Sequence, residues 1–215
     1  LTVAVDHDFE PDPPAGGLGC PDWCRNVCVA ACPTRAIRGN GEIDPRRCVS
    51  FMTYFGREIT PRELREPMGL YVYGCDRCQN VCPRNLPWLC GERPVNRRVE
   101  AKAADFDLRA LLHMDVATFQ GRVWPHMFYL SPSNLWKWKM NVARAMGNSR
   151  DGSFVPDLVR AYGENGDERV RGMIAWALGR LGGAGARGAL ERFRDGSEGV
   201  VREEIEAALG GRKDG

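Results

Sequence analysis

Cys20-Pro21-Asp22-Trp23-Cys24-Arg25-Asn26-Val27-Cys28-Val29-Ala30-Ala31-Cys32-Pro33 holds four cysteines at even spacing and ends in Cys-Pro. Cys75-Asp76-Arg77-Cys78-Gln79-Asn80-Val81-Cys82-Pro83 has the same ending, and Cys48 stands alone between the two runs. A 4Fe-4S cluster takes four thiolates, so these cysteines match the needs of two cubane clusters. In paired runs of this kind the cysteine before proline ligates the other cluster, which ties both runs into one small domain. Two other chemistries compete for the same thiols. A secreted disulfide framework prefers an even count in a short chain, whereas this chain has 9 cysteines in 215 residues and none after Cys90. Structural zinc also uses Cys-x2-Cys pairs, although four closely spaced cysteines in one run crowd a tetrahedral site. Two clusters are the reading carried forward, with zinc and disulfides as the alternatives.

The rest of the composition sets bounds. A chain of 215 residues is long enough for one or two domains. The net charge of +2 is too small to point to nucleic acid on its own. No apolar run approaches the ~20 residues of a membrane-spanning helix, so no membrane partner is expected. Reduced thiolate ligands fit a cytoplasmic setting. The chain starts at Leu1 rather than Met, and the expectation is a fragment or a processed product.

The expected fold is mainly α: a two-cluster, bacterial-ferredoxin-like domain followed by a short HEAT-like α-solenoid. Residues 1–19 read as a lead-in, with a short strand from Leu1 to Val5 and an irregular linker around Pro11, Pro13, Pro14, Gly16 and Gly17. Residues 20–90 form the cysteine domain. Within it, Asp22 to Ala31 is expected to wind as short helical turns, and Ile37 to Ile43 to form a hairpin around Gly39, Asn40 and Gly41. Cys48 to Phe55 reads as a short helix. Thr60-Pro61-Arg62-Glu63 reads as a helix start, with Thr60 as N-cap, Pro61 at N1 and Glu63 at N3, and that helix is expected to end near Gly69. Residues 91–134 form a connector. It carries short helices capped by Asp107 and Asp115, and an aromatic run from Trp124 to Tyr129 that packs on a neighbour. In residues 135–215 the pattern repeats: Gly147, Gly179 and Gly210 each close an Ala-rich helical stretch at a period of about 30 residues, the signature of stacked helix pairs. Each glycine suits a helix C-terminus, and small residues let the helices approach closely.

A family resemblance follows from particular residues. Arg47-Cys48-Val49-Ser50-Phe51-Met52-Thr53, Tyr73-Gly74-Cys75-Asp76-Arg77-Cys78-Gln79-Asn80-Val81-Cys82-Pro83-Arg84-Asn85, and the Cys32-Pro33-Thr34-Arg35-Ala36-Ile37 tail of the first run resemble epoxyqueuosine reductase. Arg171-Gly172 leading into Ala175-Trp176-Ala177-Leu178-Gly179 is similar to that family's C-terminal helical repeats. The resemblance covers residues 20–90 and 135–210. It implies two 4Fe-4S clusters, cobalamin and a modified nucleoside in tRNA as substrate. It further implies that Cys20, Cys24, Cys28 and Cys82 hold one cluster, and that Cys32, Cys48, Cys75 and Cys78 hold the other. Cys90 is left over as a plain thiol. Two departures accompany it. The family has two residues, not three, in the first two gaps of the first run. Its N-terminal domain, which holds cobalamin and the catalytic acid, is not matched by residues 1–19, where Asp6, His7 and Asp8 read as a solvated loop. No catalytic residue is therefore assigned, and cobalamin enters only with an N-terminal domain or a partner.

The function expected is electron transfer, as the redox module of a cobalamin-dependent reductase fed by a low-potential donor. The alternative is a stand-alone ferredoxin-like carrier whose repeats dock a partner protein. A tRNA-binding role for Lys137, Lys139, Arg144, Arg169, Arg171 and Arg180, with Trp136 and Trp138 for stacking, is set against a plainer reading. In the plainer reading, which is preferred, the cations solvate helix surfaces and the tryptophans fill the core. His113 and His126 are expected to be packed or surface groups. Asp76 and Gln79 are expected to hydrogen-bond the backbone or sulfur around a cluster.

Overall fold

The computed structural model describes residues 4–13, 20, 22–39, 41–92, 94–127 and 129–211. The Leu1–Val3 part of the expected strand, Pro14, Gly16 and Gly17 of the lead-in, Asn40 of the hairpin and Phe128 of the aromatic run lie outside them. Ala4 to Pro13 is exposed and irregular, and Asp6, His7 and Asp8 lie within it.

The cysteine-bearing part is built from single turns. Asp22–Cys24 forms a 3-10 turn, and α1 spans Val27–Ala31. Between them Arg25 and Asn26 take left-handed φ values of 51° and 54°. That conformation is costly for residues with a Cβ, least so for Asn, and it folds the widened Cys24–Cys28 gap back on itself. Strands β1 (Ile37–Gly39) and β2 (Glu42–Ile43) form an antiparallel pair with Ile37 opposite Ile43. Gly39 and Gly41 supply φ of 97° and 78° at the turn, which only glycine adopts freely. Helix α2 (Val49–Phe55) starts directly after Cys48.

Helix α3 is only Arg62–Arg65, and Pro61 rather than Thr60 is its N-cap. Thr60 is buried with its hydroxyl unpartnered. Its carbonyl instead accepts Arg65 Nε at 2.6 Å, so the chain there is fixed from the far side of the turn and not by a capping box. Helices α4 (Arg77–Asn80) and α5 (Leu86–Leu89) complete this part.

The connector carries α6 (Arg97–Ala103), α7 (Leu108–His113) and α8 (Val116–Thr118), which runs on as a π-helical turn over Phe119–Val123. Asp107 accepts the Arg109 and Ala110 N–H groups, and Asp115 accepts that of Thr118, satisfying donors that a helix start leaves orphaned. Trp124 Nε1 donates to the Leu130 carbonyl at 2.7 Å, closing the aromatic segment on itself.

Five longer helices follow: α9 (Leu135–Ser149), α10 (Val155–Glu164), α11 (Glu168–Leu181), α12 (Gly183–Arg194) and α13 (Gly199–Gly210). Helix α11 packs between α9 and α13, while α10 and α12 form a second layer. The main core lies between the layers and under α7, around Trp138, Val142, Met146, Leu158, Ile174 and Leu178.

The repeating glycines do not cap these helices. Gly147 and Gly179 lie inside α9 and α11. A Cβ on Gly147 would sit 2.9 Å from Ala177 Cα, and one on Gly179 would sit 2.5 Å from Ala208 Cβ. They are crossing points where one helix touches the next, and the left-handed cap after α9 is Arg150, at φ 59°. The period was therefore legible, but at Gly147 and Gly179 close packing, not the C-cap, is its physical cause, whereas Gly210 ends α13 with open space around it.

Candidate iron–sulfur centre

Cys32, Cys48, Cys75 and Cys78 line one small pocket of about 30 Å³, together with Thr34, Ile37 and Val49 among others. Each arrives from a different local device. Cys32 leaves α1 as its C-cap, and Cys48 is the N-cap of α2. Cys75 follows Gly74, whose φ of 73° turns the chain into α4, and Cys78 lies inside that helix. Gly74 N–H donates to the buried Thr53 hydroxyl at 3.1 Å, and the Ser50 hydroxyl donates to the Cys75 carbonyl at 3.4 Å. A Cβ on Gly74 would drive into the Tyr54 hydroxyl. Beneath the thiols, Val49, Leu64 and Met68 form a separate apolar cluster against which Met52, Tyr71 and Cys75 pack.

The local electrostatics differ from one thiol to the next. Burial raises the cost of a Cys32 thiolate, but the Ile37 and Ala36 N–H groups, with the Thr34 hydroxyl and N–H, outweigh it and hold that thiol below its ordinary pKa. The Ala36 N–H lies 3.1 Å from the sulfur. Cys78 is pushed the other way, first by burial and then by the neighbouring Cys75 and Cys48. Several thiolates around one pocket repel each other unless a cationic body sits among them.

A single zinc ion would need its sulfurs within about 2.3 Å of one point, and it stands as the alternative chemistry for the same thiols. All nine cysteines are free, so no disulfide claims them.

The second expected set is more open. Cys24 is buried, Cys28 and Cys82 are partly buried, and Cys20 is exposed. Helix α1, which carries Cys28, packs against α4, after which the chain reaches Cys82. Gln79 braces this turn: its side-chain carbonyl accepts Asn85 Nδ2 at 2.8 Å, and its own backbone N–H, not its amide group, reaches the Cys78 sulfur. The Asp76 side chain makes no capping hydrogen bond at α4. Cys90 is exposed. His113 is held by Glu164 at 2.6 Å and faces Asp157 at 3.6 Å, a packed and paired group.

Sequence reading missed how the repeats hold the cysteine domain. Lys137, Asn141, Arg144 and Asn148 recur at steps of four, three and four, one face of α9. Lys137 Nζ donates to the Tyr54 carbonyl at 2.8 Å, and Asn141 to that of Thr53 at 3.3 Å. Arg144 donates to the carbonyls of Gly69, at 2.9 Å, and Tyr71. Asn148 donates to those of Arg65 and Gly69 at 2.7 and 2.8 Å. Lys137, Lys139 and Arg144 are buried, so they do not solvate a surface as the plainer reading held, although Trp138 does fill the core.

The next helices add to the grip. From α11, Arg169 donates to the Arg57 carbonyl at 3.0 Å and Arg180 pairs with Glu66 at 2.5 Å. From α13, Glu204 takes both terminal nitrogens of Arg65, at 2.7 and 2.9 Å, and Arg62 Nε at 3.1 Å. The polar 4-3-4 spacing in an otherwise apolar helix was the available signal.

Comparison with known proteins bears on the domain content and the fold. A 4Fe-4S double cluster binding domain matches residues 20–85, and HEAT repeats match residues 130–210. The epoxyqueuosine reductase of Bacillus anthracis is 30% identical over 203 residues, covering 91% of this chain and 50% of its own length. The structure of epoxyqueuosine reductase from Bacillus subtilis superposes with a TM-score of 0.74 at 27% identity, covering 94% of this chain and 53% of that one. A crystal structure of epoxyqueuosine reductase with an epoxyqueuosine-modified tRNA stem loop gives 0.76 at 28% identity, over 94% of this chain and 52% of that one. The chain thus spans about half the length of the curated relatives it matches. Among the described residues no helix is long and apolar enough to cross a membrane.

Proposed function

We propose that this chain, an epoxyqueuosine-reductase-like iron–sulfur protein that spans about half the length of its curated relatives, is the electron-carrying module of a cobalamin-dependent oxidoreductase. Cys32, Cys48, Cys75 and Cys78 hold one 4Fe-4S cluster, and Cys20, Cys24, Cys28 and Cys82 hold the other. When bound, such clusters accept and release single electrons at potentials set by hydrogen bonds to sulfur and by burial. The observation that carries the reading is the four-cysteine pocket. Around it the Thr34, Ala36 and Ile37 N–H groups stabilise negative charge on the Cys32 sulfur, and Val49, Leu64 and Met68 shield one side from water. The more exposed set with Cys20 is the entry point for a low-potential donor, and the inner set passes electrons onward. Cobalamin belongs to a domain or partner joined to this module, and no residue described here is assigned to it. The setting proposed is the cytoplasm, where thiols stay reduced.

The carrier alternative relied on free repeats to dock a partner protein. The layer of α9, α11 and α13 is instead occupied by residues 53–71 of the same chain, which favours the reductase reading. For a tRNA partner, support comes from the tRNA-bound relative and from a groove lined by Tyr54, Phe55, Tyr129, Trp136, Arg57 and Arg169. Aromatic faces beside cations suit an unpaired base.

Purified without oxygen, the protein should contain about eight irons and as many acid-labile sulfides per chain, and a low-potential donor should bleach its visible absorption. Iron-free or zinc-loaded protein would overturn the proposal.

A further inference from the structure

A cleft of about 380 Å³ opens where four elements meet: Arg62 of α3, Arg150 just past α9, Trp176, Gly179 and Arg180 of α11, and Glu204 of α13 line it among others. It shares no lining residue with the cysteine pocket. Part of its lining is small and apolar, where Gly179 meets Ala208. Trp176 adds an aromatic wall, with the Arg65 and Arg180 guanidiniums 5.8 and 5.7 Å from its ring centroid. The space is large enough for a small phosphorylated molecule.

The charges around this cleft do not cancel. Its lining residues and their ion-pair partners carry four guanidiniums, those of Arg62, Arg65, Arg150 and Arg180, against two carboxylates, those of Glu66 and Glu204. Glu204 is taken up by Arg65 and Arg62, and Glu66 by Arg180. Two donors are left over. Among the described residues no carboxylate pairs with Arg150, whose Nη1 donates only to the Arg180 carbonyl, at 3.2 Å. Arg180 Nε is buried and has no partner.

Guanidinium forks match phosphate oxygens in charge and in geometry. A phosphate monoester carries about two negative charges at neutral pH, which equals the excess of cations here, whereas a backbone diester carries about one. We propose that this cleft binds a phosphate monoester, with Arg62, Arg150 and Arg180 on the phosphate and the organic part along Trp176 and the small residues. Arg62 comes from the cysteine-bearing part, and Arg150 and Arg180 come from the repeats. The ligand therefore bridges the two parts and braces their joint.

The probe is phenyl phosphate, titrated calorimetrically into the full chain in a phosphate-free buffer at physiological ionic strength, with thermal unfolding followed in parallel. Wild type should bind it and unfold at a higher temperature, because a ligand that binds only the folded state stabilises that state. Arg150→Met should weaken binding about tenfold or more, the loss of a charge-assisted hydrogen bond, while the unliganded variant unfolds close to wild type. Arg202→Met, which removes a solvated arginine of α13, should leave the affinity unchanged. Dimethyl phosphate, a diester, should bind about tenfold more weakly than phenyl phosphate. Absence of both heat and an unfolding shift, or an affinity untouched by Arg150→Met, overturns the proposal. Equal binding of dimethyl phosphate, or of the dianion malonate, overturns the assignment to a monoester. An RNA stem loop without terminal phosphates carries only diesters, so if it displaces phenyl phosphate the cleft is a nucleic-acid contact and the proposal fails.

Discussion

Replacing Glu204 by alanine tests whether the repeats and the cysteine domain fold as one body. The Arg65 and Glu204 side chains are 1% and 5% exposed, and the carboxylate takes both terminal nitrogens of Arg65 and Arg62 Nε. Removing one partner of such a pair leaves a buried charge and costs about 3–5 kcal/mol. Solvated pairs on the same helices, such as Arg202–Glu206, are worth only about 0.3–0.5 kcal/mol. Urea unfolding should therefore show a much lower midpoint for Glu204→Ala, and Arg65→Met combined with Glu204→Leu should recover most of the loss, because both charges are then gone. The pair also predicts a pH dependence. Burial alone would raise the Glu204 pKa, but the hydrogen bonds and charges of Arg65 and Arg62 outweigh it and leave it lowered. A carboxylate depressed in the folded state adds stability above its unfolded pKa of about 4.3 and loses it as pH falls toward the folded value. Wild type should lose stability below about pH 4 more steeply than the double variant. A Glu204→Ala protein within about 1 kcal/mol of wild type would refute the reasoning, since that is the size of an ordinary substitution.

The other expectations are narrower. Gly179→Ala places a Cβ against Ala208 and should destabilise by about 1–3 kcal/mol on thermal unfolding. Gly188→Ala, in α12 and facing only the flexible end of Arg192, should stabilise by about 0.5–1 kcal/mol. Cys78→Ser should remove about half of the bound iron, whereas Cys90→Ser, at an exposed thiol, should leave it intact by the same colorimetric assay. Gly74→Ala forces a side chain into the Tyr54 hydroxyl at a positive φ and should lower iron content with little change in far-ultraviolet circular dichroism.

Much of the fold was legible because its signals are local. The glycines of the β1–β2 turn, the aspartates before α7 and α8, and the period of the repeats all act within a few residues. Thr60 was misread for the same reason. The capping pattern was present, but Arg65 reaches back to the Thr60 carbonyl and on to Glu204, a contact no local rule contains. Gly147 and Gly179 were seen but given the wrong task, because a glycine near a helix end looks the same whether it turns the chain or admits a neighbour. The cysteine spacing pointed to cluster chemistry, and a 4Fe-4S double cluster binding domain does match residues 20–85. The grip of α9 was not legible in that way: Arg144 and the Tyr71 carbonyl lie far apart in sequence and meet only in the folded chain.

On the polar stripe of α9, Lys137, Asn141, Arg144 and Asn148 bind the partner segment through its main-chain carbonyls and none of its side chains. A surface that reads backbone is indifferent to sequence on the other side. The side chains of residues 53–71 that make no other contact can therefore vary without loss of registry, provided the chain keeps its path, Thr53, Leu64 and Met68 stay packed, and Arg62, Arg65 and Glu66 keep their partners. The two domains can diverge at different rates and remain joined.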